Sequence, residues 1–548
     1  MPFSLYTKQT WAAMAEPTSL RRCSDALQQQ EATLRHGGPP AGHERQKRLG
    51  RWDVRQRLAA LVDSGSPFFE LGLWAGWKMY EEWGELPAAG VVTAIAQVSG
   101  RFCLIVANDA TVKAGAMFPQ SIKKVLRAQK IAYQCRLPLL YLVDSSGVFL
   151  PLQDEIFPDE DDFGRIFRNN AVISAAAIPQ LAAIMGNCIA GGGYLPVLCD
   201  KLLMTRGSGL YLAGPALVKA AIGQLVDSEE LGGAEMHATI SGTVDFLEES
   251  DEACLMRLRT LVAMLPDDPL PRHYDPTKQA AKPADAVYDF IDAEGKRGYD
   301  ARDLLATLLD IDSLQEYKRH YGQSLITGYA TIAGMAVGIV ANQRIVTTTG
   351  EGEQQIGGVI YAESADKAAR FVLDCNQIQV PIIFFQDVAG FMVGLQAERS
   401  GIIRSGAKLV SAISNSVVPK ITVIVGNSFG AGHYALCGKA YDPTFIVAWP
   451  SARYAVMGAD QAADTLYEVQ KKSAKRQGRQ NEEDSMAMRL AIKRRYEEQV
   501  DIRYGAARGW VDALIAPETT RTLLTRMLLW VQRAPPSGKP CQLGVFQV

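Results

Sequence analysis

IPQLAAIMGNCIAGGGY (178–194) and VPKITVIVGNSFGAGHY (418–434) follow one pattern. A proline opens a strand-length apolar run, a Gly-Asn pair follows, and a cluster of small residues leads to a tyrosine. Pro179 and Pro419 stand 240 positions apart. Two further pairs lie upstream in the same order. QVSGRFCLIVAND (97–109) reads like TIAGMAVGIVANQ (331–343), with Gly100 and Gly334 offset by 234. CRLPLLYLVDSSG (135–147) reads like IQVPIIFFQDVAG (378–390), with Pro138 and Pro381 offset by 243. Three blocks at a nearly constant offset mean a duplication. The unit is far longer than the 20–50 residues of a solenoid repeat, so the expectation is two homologous domains in tandem.

Each copy alternates strand and helix. VVTAIAQV and FCLIVAND read as strands joined at Ser99-Gly100, and Ser121–Cys135 has helical apolar spacing. Leu137–Val143 is a continuous apolar run, as in a strand buried on both faces. A helix is expected around Phe163–Ala177, and Leu181–Met185 is the next strand. The pattern is α/β. The five prolines of 266–283 mark a linker. The expected division is a helical extension over 1–60, an N-terminal domain over 61–290 and a C-terminal domain over 291–548. Basic and acidic blocks alternate over 467–500, the pattern of a solvated helix pair or of a partner surface.

The 548 residues are 48% hydrophobic and 21% charged, with a net charge of −2. That balance excludes a disordered chain and carries no broad footprint for nucleic acid or an anionic membrane. Nine cysteines are scattered without a CxxC, which argues against a structural zinc site and a disulfide framework and for a reducing compartment. The apolar runs are too short to span a bilayer. The first 60 residues are rich in Arg and Gln, but Glu16, Asp25 and Glu31 fit a transit peptide poorly. The expected location is the cytoplasm.

In each copy a strand ends at small residues that open a helix: Ala190-Gly191-Gly192-Gly193 and Gly430-Ala431-Gly432. The first N–H groups of a helix lack intrahelical partners and sit at its positive end. Two of them aimed at one point form an oxyanion hole. The plainer reading is a tight turn with close helix packing. Asp144-Ser145-Ser146-Gly147 and Asp387-Val388-Ala389-Gly390 follow the preceding strand, so each copy offers a pocket of two backbone turns at the carboxyl ends of parallel strands. GAGHYA (430–435) also fits a dinucleotide fingerprint, but its sister reads AGGGYL, with Leu195 where Gly or Ala belongs. No GxSxG surrounds Ser145 or Ser146. Only His237 and His433 lie near the motifs; His433 is either a ligand contact or a packed wall residue. Cys188 and Cys437 read as core. The chemistry therefore rests on backbone dipoles rather than a side-chain base.

The chain resembles the carboxyltransferase (β) subunits of biotin-dependent acyl-CoA carboxylases, most nearly the methylcrotonyl-CoA carboxylase branch. The stretches that carry the resemblance include VANDATVKAGAMFP (106–119), FPDEDDFGRIF (157–167), AGGGYLP (190–196), YLAGPALVKAAIGQLVDSEELGGAEMH (211–237), QDVAGFMVG (386–394) and WPSARYAVMGADQAADTL (449–466), within residues 45–535. It implies two crotonase-like domains, acyl-CoA on the N-terminal one and biotin on the C-terminal one of a neighbouring subunit. It also implies a homo-oligomer, usually a hexamer, and a mitochondrial matrix location in a eukaryote.

Carried onto this chain, Gly191 and Gly192 hold the thioester oxygen of acyl-CoA, with Ser146, Gly147, Ala190 and Tyr211 lining that side. Ala431 and Gly432 hold the ureido oxygen of biotin, with Ala389, Gly390, Phe391, Gly430 and His433 around it. The implied reaction moves a carboxyl group from carboxybiotin to an enolate of the acyl-CoA, without a metal in this chain. Lys78-Met79 lies outside any biotinyl-site context and no ATP-binding region is evident. A separate α subunit with biotin carboxylase and biotin carrier functions is thus implied. Gly432-His433-Tyr434 departs from the GNY usual in the methylcrotonyl branch, which with Leu210-Tyr211 leaves the acyl preference open. The alternatives are a decarboxylase subunit of a biotin-dependent sodium pump, a non-catalytic assembly subunit and, least, an oxidoreductase.

Overall fold

The computed structural model describes residues 18–545 apart from 270, 272, 296, 477–481, 537, 539 and 540, and only the backbone within 459–460, 470–476 and 482–488. Its two largest sheets each have eight strands and share one topology. The first runs Phe68–Leu71, Val91–Val98, Arg101–Asn108, Leu139–Ser145, Gln180–Ile189, Lys201–Thr205 and Phe246–Glu248, with Gly209–Tyr211 added beside the end of Gln180–Ile189. The second runs Gln315–Glu316, Leu325–Ile332, Met335–Asn342, Ile382–Val388, Lys420–Phe429, Phe445–Ala448 and Ala513–Leu514, with Arg453–Ala455 added in the same place. The three repeated blocks of sequence are the hairpin and the two central strands of each sheet.

The sheets are mixed. Val91–Val98 and Arg101–Asn108 form an antiparallel hairpin, as do Leu325–Ile332 and Met335–Asn342. On one side of each hairpin the strands run parallel, and on the other Phe68–Leu71 and Gln315–Glu316 pair antiparallel. Each hairpin closes in two residues with positive φ, Ser99 (+50°) and Gly100 (+78°) in one, Ala333 (+48°) and Gly334 (+77°) in the other. That backbone matches the strand twist but strains a residue with a Cβ. A carboxylate holds each turn. Asp63 accepts the N–H groups of Ser99 at 2.9 Å and Gly100 at 2.7 Å. Asp310 accepts those of Ala333 at 2.9 Å and Gly334 at 2.8 Å. Arg259 and Arg521 pair with the two carboxylates.

The helices that cover the sheets also correspond. Pro119–Cys135 starts with the N–H of Phe118 donating to Ser121 Oγ at 2.9 Å, and Ala362–Gln377 with that of Tyr361 donating to Ser364 Oγ at 2.9 Å. Phe163–Ala175 and the helix pair Ala459–Arg476 and Glu482–Val500 fall where the sequence pattern predicts helices. One apolar core runs through both halves. At its centre the Trp530 ring, on the Thr520–Val531 helix, lies 5.7 Å from Phe69 of the first sheet and 5.7 Å from Phe445 of the second. Asp512 adds a polar tie, accepting from Arg127 of the first half at 2.7 Å and from Lys439 at 2.8 Å. No described helix is long and apolar enough to cross a membrane.

Burial pulls the Asp310 carboxyl up. Its hydroxyl, guanidinium and N–H partners outweigh that and hold it below the usual carboxylate range. Its stabilising effect is therefore complete above the unfolded carboxyl pKa and is lost as pH falls through the depressed native value. Asp310→Asn should cost on the order of 2 kcal/mol in urea unfolding at pH 7. The gap between wild type and variant should close below about pH 4.

Candidate active site

The strands Gln180–Ile189 and Lys420–Phe429 run between neighbouring strands and end in equivalent turns. The first opens into Ala190–Gly193, a 3-10 turn continued by the Tyr194–Val197 helix, and the second into the Gly430–Ala435 helix. Ala190 (φ +60°) and Gly430 (φ +55°) occupy the same left-handed position. An alanine there is strained, a cost of about 1–3 kcal/mol that persists only where the surroundings impose it. Next come Gly191-Gly192 and Ala431-Gly432, within the first turn, where N–H groups lack intrahelical partners.

The space around these residues is measured by adding a Cβ. At Gly432 it would come within 2.6 Å of Val388 and 3.3 Å of Gly390 Cα, so no side chain fits. At Gly191 and Gly192 it would meet only the Phe163 ring, at 3.6 and 3.9 Å. The second turn of each pocket also has a left-handed glycine, Gly147 (φ +89°) and Gly390 (φ +139°). The N–H groups of this turn are largely spent internally. Ser146 donates to Ala114 O, Gly147 to Ser145 Oγ at 3.1 Å, and Ala389 to Gly358 O at 2.8 Å. The small residues predicted from the sequence thus lie on two pairs of turns, one pair in each half.

Three predicted side chains take particular places. Tyr211 lies against Gly209 and Gly232, where a Cβ would come within 2.2 and 2.3 Å of it. Its neighbour Leu210 instead reaches within 3.0 Å of the Cβ position of Gly193, as alternation along a strand requires. The Phe391 ring packs on Gly406 of the Ile402–Ser414 helix. His433 is buried, and both ring nitrogens are engaged. Nε2 accepts from Tyr454 Oη at 2.6 Å and from the Lys439 N–H at 3.3 Å. Nδ1 lies 2.7 Å from Ser428 Oγ, which donates to Gln386 Oε1 at 2.5 Å. Desolvation lowers the imidazole pKa to about 4, so it is neutral at physiological pH. Burial pushes the Cys188 and Cys437 thiols up to about 12. A cavity of about 410 Å³ opens at the second turn, walled by Gly430, Ala431, Tyr434, Tyr454, Val456 and Trp510, all from the second half.

With this geometry in hand, comparison with known proteins is specific. The family described as "Carboxyl transferase domain" matches residues 45–535. The chain belongs to that family. It is 41% identical over 518 residues to the biotin-dependent 3-methylcrotonyl-coenzyme A carboxylase beta1 subunit of Mycobacterium tuberculosis, covering 94% of this chain and 95% of the relative. It is 40% identical to the mitochondrial methylcrotonoyl-CoA carboxylase beta chain of Dictyostelium discoideum, covering 94% and 86%. Among solved structures, the geranyl-CoA carboxylase beta subunit of P. aeruginosa superposes with a TM-score of 0.84 at 32% identity over 98% of both chains. This carboxyltransferase is a β subunit of the biotin-dependent acyl-CoA carboxylase class, and its fold is the two-domain fold expected from the duplication. The decarboxylase and assembly-subunit alternatives are not favoured by these relatives.

Residues that sequence reasoning passed over also shape the two turns. Phe163 covers Gly191 and Gly192, and nothing in its local sequence marks it out from a core aromatic. Asp144 and Asp387 were read only as the starts of loops; both are buried, at 2% and 6% exposure. Gln46 and Arg57 come from the N-terminal helices and reach Asp144 at 3.1 and 3.3 Å.

A histidine held neutral opposes its own protonation, so its contribution to stability falls as pH drops from the unfolded value of about 6.5 towards the native one. The stability advantage of wild type over His433→Gln in urea unfolding should shrink between pH 7 and pH 5. Turnover over the same range should show no ionisation assignable to His433.

Proposed function

We propose that the two turns are paired oxyanion holes. In this reading Ala431 and Gly432 hold the ureido oxygen of carboxybiotin, and Gly191 and Gly192 hold the thioester oxygen of the acyl-CoA. The carrying observation is that the same strained turn occurs at the same place in both halves, while His433, the titratable ring set into one of them, is neutral and fully bonded. The second turn suits a compact bicyclic ring. Its Gly432 floor admits no Cβ and its walls are aromatic and aliphatic.

When bound, carboxybiotin supplies the carboxyl group and, through its ureido nitrogen, the site that accepts the substrate proton. The protein's own part is electrostatic. The N–H groups of Ala431 and Gly432 favour negative charge on the ureido oxygen. Those of Gly191 and Gly192 favour the enolate oxygen over the neutral thioester. Each such donor is worth about 3–4 kcal/mol to the transition state. For a 3-methylcrotonyl-type substrate the charge extends along the conjugated chain and the proton leaves the γ carbon.

The first hole is completed by a second copy. The cavity at Gly430 is walled only by the second half of this chain. Apolar side chains stand open beside both turns, Tyr194 at 52% and Val197 at 46% on one side, Tyr434 at 46% and Val456 at 68% on the other. Facing the first half of one subunit with the second half of another covers both sets and brings the two oxygens together. A hexamer built from such dimers, served by a separate α subunit carrying biotin carboxylase and the biotinylated carrier, completes the reading. The proposed location is the cytoplasm, or the mitochondrial matrix in a eukaryotic cell.

Gly192→Val tests it. A Cβ there meets only Phe163, in ordinary contact, so the oligomer should still assemble and its unfolding temperature should change little. Carboxyl transfer from carboxybiotin to 3-methylcrotonyl-CoA should fall at least ~100-fold. Near-wild-type turnover would overturn the assignment.

A further inference from the structure

Resting on the two-hole reading, we infer that Asp144 and Asp387 are positioning residues, each clamping the two backbone turns of one hole to each other. Both sit where the register between two central strands slips, Leu139–Ser145 against Gln180–Ile189 between Val143 and Ser145 in one sheet, and Ile382–Val388 against Lys420–Phe429 between Gln386 and Val388 in the other. The slip frees the carboxylate to turn sideways under the neighbouring strand. There Asp144 accepts the N–H of Asn187 at 3.2 Å, and Asp387 that of Asn427 at 2.9 Å. Asn187 and Asn427 each precede the left-handed residue, Ala190 or Gly430, by three positions. Each aspartate's own N–H donates to an asparagine at the end of the preceding strand, Asn108 at 3.4 Å and Asn342 at 3.1 Å. The aspartate backbone leads into the Ser146-Gly147 or Ala389-Gly390 turn, while its side chain grips the strand that carries the N–H donors. One residue therefore sets the spacing of both walls.

Two observations separate this role from ordinary ion pairing. A Cβ on Gly186 would lie 2.0 Å from the Asp144 carboxyl carbon, and one on Gly426 would lie 2.5 Å from that of Asp387. The glycine of each Gly-Asn pair is thus the space the carboxylate occupies. The cations, by contrast, are not equivalent. Arg57 comes from the Val54–Leu61 helix outside the sheet and lies 3.3 Å from Asp144. Arg344 follows the Met335–Asn342 strand and lies 3.1 Å from Asp387, joined by Tyr299 Oη at 3.2 Å. The two halves share the carboxylate, its N–H partner and its glycine, and differ in what neutralises it. What is common to both is the clamp on the turn.

The experiment compares Asp→Asn and Asp→Ala at each position in the purified oligomer, with wild-type carboxyl transfer from the carboxylated 3-methylcrotonyl-CoA product to free biotin as the control. Asparagine keeps an acceptor oxygen for the Asn187 or Asn427 N–H, and alanine does not. Asp144→Ala should lower kcat ~100-fold or more with KM for free biotin unchanged. Asp387→Ala should raise KM for free biotin and lower kcat while the affinity for acyl-CoA is unchanged. The asparagine variants should recover activity to within about tenfold of wild type. Should an alanine variant fail to assemble, its asparagine counterpart decides, because the same half-specific split should appear at smaller amplitude. Variants as active as wild type would overturn the inference. So would activity lost equally towards both substrates, in step with thermal stability and with no rescue by asparagine. Inactive wild type across CoA esters would instead bring down the two-hole reading itself.

Discussion

A backbone N–H can polarise a ligand only if the fold leaves it unbonded to the protein and holds it still. Both demands are met where a buried strand runs directly into a helix, because the strand supplies rigidity and the first helical turn supplies unpaired donors. The junction requires one left-handed residue, Ala190 in one half and Gly430 in the other. The mixed sheets, the shared core around Trp530 and the N-terminal helices that buttress Asp144 keep that junction in place. This follows the general logic that preorganised dipoles cost no reorganisation when charge develops.

Duplication lets the restraints be compared within a single chain. Hairpin turns in both halves are held by a carboxylate on paired N–H groups, and helices in both are capped by a serine three residues in. The halves have diverged in their cationic partners and in what surrounds the turn. Phe163 covers Gly191 and Gly192 in the first half. In the second, His433, Ser428, Gln386 and Tyr454 form a closed hydrogen-bonded chain beneath the helix. That network is neutral and fully satisfied, so it specifies a shape without offering a base. Divergence of this kind is what the proposed holes for two different oxygens would require.

The duplicated α/β pattern, the hairpins and the glycine-led turns were legible because each depends on short-range rules. Apolar runs bounded by proline and glycine define buried strands, and clustered small residues define sharp turns. The side chains were less legible. Strand alternation alone could have chosen Leu210 over Tyr211 for the Gly193 side, had the register been known. His433 was open between ligand and wall because its partners lie 5 to 47 residues away in the chain. The role of Gln46 and Arg57 was invisible, since a polar helical extension gives no sign of reaching a buried carboxylate 98 and 87 positions further on.

By itself the sequence determined that the molecule is built twice on one plan and that each copy ends a buried strand in small residues. Local sterics and apolar periodicity decide those features. It also displayed both members of the central pairing, an aspartate before each loop and a Gly-Asn pair in each following strand, without joining them. Only the tertiary structure brought Asp144 to Asn187 and Asp387 to Asn427. That contact is created by strand register and a bulge, properties of neighbouring chains in a sheet that no single stretch of residues contains.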